Sequence, residues 1–121
     1  MKRIMFVLSI LLFSFSASNA FAYGALAIDG NQGEQYGFSY NYSSSAEAES
    51  RALDECGSGC SIVNTFSNGC AAYAADQAYG STAYGWGTAS GSSQAQNTAM
   101  QYCRSNGGTQ CIIRAWGCNS N

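Results

Sequence analysis

The sequence predicts an α+β fold: two pseudo-symmetric β-β-α-β repeats that form one antiparallel or mixed sheet, with two helices packed on it and disulfides cross-linking the whole. Three observations point there. A unit of about fifty residues is written twice, and a repeat of that length decides the architecture. The first copy holds Tyr36-Gly37-Phe38, Ala48, Ala52-Leu53, Cys56, Cys60, Ile62-Val63, Phe66 and Cys70; the second holds Tyr84-Gly85-Trp86, Ala95, Ala99-Met100, Cys103, Cys111, Ile112-Ile113, Trp116 and Cys118. Within each copy an aromatic run of period two precedes an alanine-rich run of helical period. Six cysteines, an even number, recur at matching places. Neither half is large enough to bury its own core, so residues 23–121 read as a single domain made of repeats at about 23–70 and 71–121.

The elements follow in order. Tyr23 to Ile28 is a small, apolar strand, and Asp29-Gly30-Asn31-Gln32-Gly33 is a turn cluster. Tyr36, Phe38, Tyr40 and Tyr42 alternate along Gln35 to Tyr42, a second strand that closes a hairpin with the first. A serine run, Ser43-Ser44-Ser45, opens a helix, and Ser44 with Glu47 fits a capping box. Ala48, Ala52, Leu53 and Cys56 share one face of that helix, Glu47 and Arg51 stand in the favourable i,i+4 order, and Gly57 stops it. Ser61 to Phe66 is β-branched and aromatic, a third strand. The second copy repeats the pattern: Ala71 to Ala75, a turn around Asp76 to Ser81, Ala83 to Thr88, a helix after Gly91-Ser92-Ser93, and Ile112 to Trp116. Four Tyr-Gly pairs, at 23–24, 36–37, 79–80 and 84–85, read first as packing devices, each Gly leaving space for a neighbouring ring.

The opening Tyr23-Gly24-Ala25-Leu26-Ala27, the Tyr-Gly-aromatic strands, the Ala-rich helix ending in Cys, and the Cys60-Ser61-Ile62-Val63…Phe66…Cys70-Ala71-Ala72 join resemble an uncharacterised family of small exported bacterial proteins, the one catalogued as domain of unknown function 4189. The likeness covers nearly all of residues 23–121. It departs from the family's Cys-Gly-Ala-Leu-Ala join at Cys70-Ala71-Ala72-Tyr73-Ala74. It implies export and a compact disulfide-bonded domain, and it supplies no catalytic residues.

The N-terminus reads as a secretory signal, residues 1–22, removed on export to the periplasm or beyond. Lys2 and Arg3 precede an apolar run from Ile4 to Phe15, and Ala20-Phe21-Ala22 fits the small-x-small cleavage pattern, with Ser18-Asn19-Ala20 as the alternative. The apolar run is about a dozen residues, short of the roughly twenty that a membrane span needs. Beyond residue 22, three arginines face seven acids, a net charge of −4, and no Lys or His remains. A phosphate-binding surface needs clustered cations, so nucleic acid is excluded as a partner and insertion into a membrane after cleavage is not expected.

In an exported chain six cysteines read as three disulfides. The spacings, with 3, 9, 32, 7 and 6 residues between successive cysteines and no His, do not suit zinc. Fifteen pairings are possible. Equivalence between the copies favours Cys56–Cys60, Cys103–Cys111 and a bridge joining Cys70 to Cys118.

Chemistry is bounded by what is missing. Without His or Lys there is no imidazole or amine base, and oxidised cysteines are not nucleophiles, so no catalytic residue and no cofactor are expected. Asp29 and Asp76, each just after the first strand of a copy, are the residual candidates for a paired-carboxylate hydrolase, against the simpler reading that each accepts turn hydrogen bonds. Asp29-Gly30-Asn31…Glu34 lacks the spacing and acid count of a calcium loop. Asn41-Tyr42-Ser43 fits a glycosylation sequon.

Charge differs between the copies: residues 23–70 carry −5 and residues 71–121 carry +1. The first helix holds Glu47, Glu49, Asp54 and Glu55 where the second holds Gln94, Gln96, Asn97 and Gln101. The leading expectation is therefore a binding protein or inhibitor acting by surface complementarity on an envelope or extracellular protein, a basic one if the acidic helix steers it. The alternative is a glycan- or peptidoglycan-binding module that stacks sugars on Tyr36, Tyr40, Tyr84, Trp86 or Trp116.

Overall fold

The computed structural model describes residues 22–30 and 35–120. The expected signal segment lies outside the described residues apart from Ala22, as does the turn cluster from 31 to 33. Eight elements follow in the expected order: β1 (Tyr23–Asp29), β2 (Tyr36–Tyr42), α1 (Ser45–Cys56), β3 (Cys60–Ser67), β4 (Cys70–Asp76), β5 (Tyr84–Ala89), α2 (Ser92–Ser105) and β6 (Cys111–Cys118). Ser44 caps α1 by accepting the Glu47 N–H at 3.2 Å. Gly57 ends the helix at φ 99°, a left-handed value that favours glycine, and returns its N–H to Leu53.

The strands form two sheets, not the single sheet expected. One has the order β2-β1-β3 and the other β5-β4-β6, and every pairing is antiparallel. Asn68 and Gly69, both at positive φ, turn the chain between β3 and β4, so that β4 becomes the centre of a second sheet instead of extending the first. The physical reason lies in the middle strands. In β1, Ala25 and Ala27 pack with Ala48, Ala52 and Cys56 of α1, while Leu26 and Ile28 point the other way. In β4, Cys70, Ala72 and Ala74 pack with Ala95, Ala99 and Cys103 of α2, while Tyr73 and Ala75 point the other way. Both faces are apolar, so each sheet needs a cover on both sides. A helix covers one face and the opposite sheet covers the other, giving the layer order helix, sheet, sheet, helix.

Leu26, Ile28, Tyr73 and Ala75 form the layer between the sheets, with Tyr36, Phe38, Val63, Tyr84 and Trp86 around them. Tyr73 stands between Tyr36 and Tyr84, with ring centroids 5.3 and 6.2 Å away. Its hydroxyl is buried without a hydrogen-bond partner among the described residues. Burial pushes its phenol well above the ordinary range, against the pull of the Arg114 cation. Arg114 occupies a bulge in β6, between the partners of Tyr73 and Ala74, and its guanidinium lies 5.2 Å from the centre of the Tyr36 ring. Val63 occupies the corresponding bulge in β3. A polar clasp also joins the halves: the Asn41 N–H donates to Asn119 Oδ1 at 2.6 Å, and the Ser120 N–H donates to Asn41 Oδ1 at 2.7 Å.

The Tyr-Gly pairs divide in three, and at Tyr79-Gly80 the Tyr is exposed and Gly80 meets nothing within 4 Å. A Cβ at Gly24 would strike the Phe66 ring, which is the expected space for an aromatic. Gly37 and Gly85 serve a different purpose: a Cβ there would run into the helix backbone, at Ala52 O for Gly37 and within 2.5 Å of Ala99 O for Gly85. In these last two pairs Tyr36 and Tyr84 face the inter-sheet layer while the Gly lets a helix settle onto the strand.

The disulfides pair Cys56–Cys60, Cys70–Cys118 and Cys103–Cys111. Cys70–Cys118 spans 48 residues and Cys56–Cys60 only 4. Replacing the first pair with alanines is expected to cost about 4 kcal/mol and the second about 2 kcal/mol, from loop-closure entropy, as read from denaturant midpoints of the oxidised protein. Gly85→Ala is expected to destabilise by roughly 1–3 kcal/mol through overpacking against α2, whereas Gly80→Ala, which meets nothing within 4 Å, places its strain at an exposed turn and should leave the α2 contact intact by hydrogen exchange.

Candidate functional site

The acidic helix is partly spent on its own scaffold. Glu47 accepts the Ser43 hydroxyl at 2.8 Å. Glu49 accepts the Thr65 hydroxyl of β3 at 2.7 Å. Glu55 forms an ion pair with Arg51 at 3.0 Å and accepts the backbone N–H of Phe38 at 3.2 Å. Asp54 is exposed and makes no such contact among the described residues. Three of the four acids therefore hold α1 to its cap, to β3 and to the rim of β2.

The five aromatics do not make one platform. Tyr36 donates its hydroxyl to the Arg114 carbonyl at 3.1 Å and is part-buried. Tyr84 and Trp86 are half-buried in the inter-sheet layer. Tyr40 is exposed but lies over Gly117, where a Cβ would come within 2.6 Å of its ring. Trp116, also exposed, pairs with Ala72 on β6, the opposite rim of its sheet from β5.

The two aspartates serve turns. Asp29 accepts the Gln35 N–H at 3.1 Å across the β1–β2 connection. Asp76 accepts the N–H groups of Gln110 at 2.7 Å and Ala78 at 3.2 Å. The Ser81 hydroxyl, together with those backbone donors, holds its carboxyl below the ordinary aspartate range.

A groove of about 480 Å³ runs along β5 beside α2. Tyr84 to Thr88 form one wall and floor; Thr98, Tyr102 and Asn106, spaced four apart on and just beyond α2, form the other wall. None of these residues is charged. At Thr88 the groove meets a shallower depression of about 310 Å³ beside the turn at Asn68 and Gly69. The groove exists because α2 sits over the outermost strand of its sheet: Gly85 and Gly87 bring the backbones so close that a Cβ at Gly87 would lie 2.6 Å from Thr98. Tyr102, 57% exposed, and Thr98 then overhang the strand's free side. Sequence reasoning named Tyr84 and Trp86 but missed Thr98, Tyr102 and Asn106. A signal was present: Tyr102 stands where the first copy has Glu55, counting from the buried Ala-Ala-Cys faces of the two helices.

Among the described residues no group of His, Cys, Asp and Glu is arranged to hold a metal ion, and no helix is long and apolar enough to cross a membrane. Three disulfides suit an oxidising, extracellular-type compartment. No curated protein and no solved structure matches the chain. One family model does, over residues 23–118, which takes in all six strands and both helices. The chain belongs to the family described as domain of unknown function DUF4189.

Proposed function

We propose that this chain is an exported, non-catalytic binding protein that captures an envelope or extracellular protein, and that it does so in the groove between β5 and α2. The observation that carries this reading is the groove itself. It is concave and aromatic-walled, with polar groups from Thr98 and Asn106, the mixture that binding sites use. Asp29 and Asp76 are already engaged with backbone donors, which disfavours a carboxylate-only hydrolase. Tyr84 and Trp86 are half-buried against the inter-sheet layer, which leaves less ring surface for stacking a sugar and favours a protein ligand.

Export rests on the signal-like residues 1–22 and on the disulfides; the family match begins at Tyr23, the residue after the preferred cleavage point. The two halves are copies of one unit within a single domain. This is supported by the repeated element order and by the burial pattern along β3 and β6, which agrees at the first seven of their eight positions. In this reading the first copy keeps the acids that fasten α1 to the sheet, and the second has exchanged them for a binding surface. The acidic helix lies on the outer layer opposite α2. Its charge acts as long-range steering for a basic partner, not as the contact.

The mature oxidised domain, used as bait in an envelope extract with captured proteins identified by mass spectrometry, is expected to lose at least about tenfold of its capture on Tyr102→Ala, the effect of removing one anchoring aromatic. Capture by Asp54→Lys, one charge among several, should persist, and raising salt should slow capture by screening the steering without abolishing it. Undiminished capture by Tyr102→Ala would remove the groove as the binding face. Co-sedimentation with purified peptidoglycan that is lost on Tyr102→Ala would instead make the ligand a glycan.

A further inference from the structure

We propose that the groove takes an extended, uncharged peptide segment, which lies beside β5 as a fourth strand of that sheet and is held mainly by its backbone. This rests on the groove being the binding face and adds how the ligand is recognised.

The hydrogen-bond phase of the sheet shows what the groove offers. The Asp76 N–H donates to the Ala83 carbonyl at 3.0 Å across an antiparallel pair. Residues 83, 85, 87 and 89 therefore bond inward to β4, and Tyr84, Trp86 and Thr88 turn their N–H and C=O groups outward. The Asn106 amide takes the Tyr84 carbonyl at 2.8 Å. Trp86 and Thr88 are left presenting donor and acceptor side by side, with no partner among the described residues. Their spacing, two residues or about 7 Å along the strand, is the repeat of another extended polypeptide.

The first half shows the same edge closed. The Asp29 N–H donates to the Gln35 carbonyl, which sets the phase of β2 so that Phe38 faces outward, as Trp86 does in β5. There the Glu55 carboxylate, braced by Arg51, accepts the Phe38 N–H. Glu55 and Arg51 correspond to Tyr102 and Thr98, and no carboxylate stands there to accept the edge N–H of Trp86. An edge strand covered by a charged side chain is protected against strand addition. In the second half that protection is missing, and an aromatic wall stands in its place.

The position of α2 decides which occupant fits. Helix and strand are in backbone contact at Gly85, so α2 spans β4 and the rim strand β5, with Thr98 and Tyr102 on its outer side. A second copy pairing through its own β5 would bring its own overhanging Thr98 and Tyr102 up against these, across about one strand spacing. A lone extended segment carries no such overhang. The absence of charge along the groove makes an ionised side chain costly to seat there, so the segment is uncharged where it meets Trp86 and Thr88. This is strand addition, in which backbone bonds give affinity and alternate side-chain pockets give selectivity.

The test uses the mature oxidised domain and a displayed library of random peptides. Selected peptides are expected to share an uncharged core of about five residues, to slow amide exchange at Trp86 and Thr88, and to lose at least about tenfold in affinity when alternate core amides are N-methylated. The double change Thr98→Arg with Tyr102→Glu, which rebuilds the closed edge of the first half, should weaken the same peptides by a similar factor; the N-methylated peptides need no protein variant and stand if that variant misfolds. Unchanged affinity after N-methylation overturns strand addition yet leaves the groove as the binding face. Peptides indifferent to both changes overturn both readings. Selection of charged cores only, or of none, or pairing of two protein molecules that protects Trp86 and Thr88 without peptide, overturns the proposal.

Discussion

Where β5 meets α2, two backbones touch with no side chain between them. Gly85 and Gly87 have no room for a Cβ, because Ala99, Thr98 and the helix carbonyls already fill that space. This contact sets the distance between helix and sheet, and small residues, alanines with Cys70 and Cys103, line both surfaces. It also brings the helix across the rim strand as well as the sheet centre. The groove is a result of that placement. Larger residues on β5 would lift α2, separate Tyr102 from the strand edge and flatten the site.

The same contact in the first half has a different outcome, and the difference is electrostatic. Gly37 lies against Ala52 much as Gly85 lies against Ala99. The residues that overhang β2 are Arg51 and Glu55, and they spend their charge on each other and on a backbone donor. A surface pair of this kind is worth little as an ion pair, commonly below about 1 kcal/mol. Its larger effect is to occupy a hydrogen-bonding position that would otherwise be open. One scaffold thus supports a sealed rim and an open one, according to two side chains on a helix.

Much of this was readable from the chain. Period-two aromatics, the Ser44 cap, Gly57 and the cysteine order place all eight elements and rank the disulfide pairings, because each rests on local chemistry that repeats. The count of sheets was not readable by the same route. Alternation tells which residues of β2 share a face, but not what covers it. A clue lay in Tyr23–Ile28 and Ala71–Ala75, which are apolar without alternation and so belong to strands covered on both sides. The site was harder still. The acids of α1 draw attention because charge is conspicuous in sequence, yet three of the four are tied down locally. Tyr102 looks like an ordinary exposed helix residue until the strand beneath it is known to be a rim.

The covalent bonds are distributed unevenly across this architecture. Cys56–Cys60 joins α1 to β3, Cys103–Cys111 joins α2 to β6, and Cys70–Cys118 staples β4 to β6. None crosses from one sheet to the other. The seam is held by Leu26, Ile28, Tyr73 and their aromatic neighbours, by Arg114 over Tyr36, and by the Asn41 clasp. Oxidation therefore hardens each half while leaving the junction between them to noncovalent forces, and the Asn119 N–H donated to the Gly69 carbonyl at 2.7 Å holds the turn that connects them. Reduction loosens each half from within and removes no covalent tie between the two sheets.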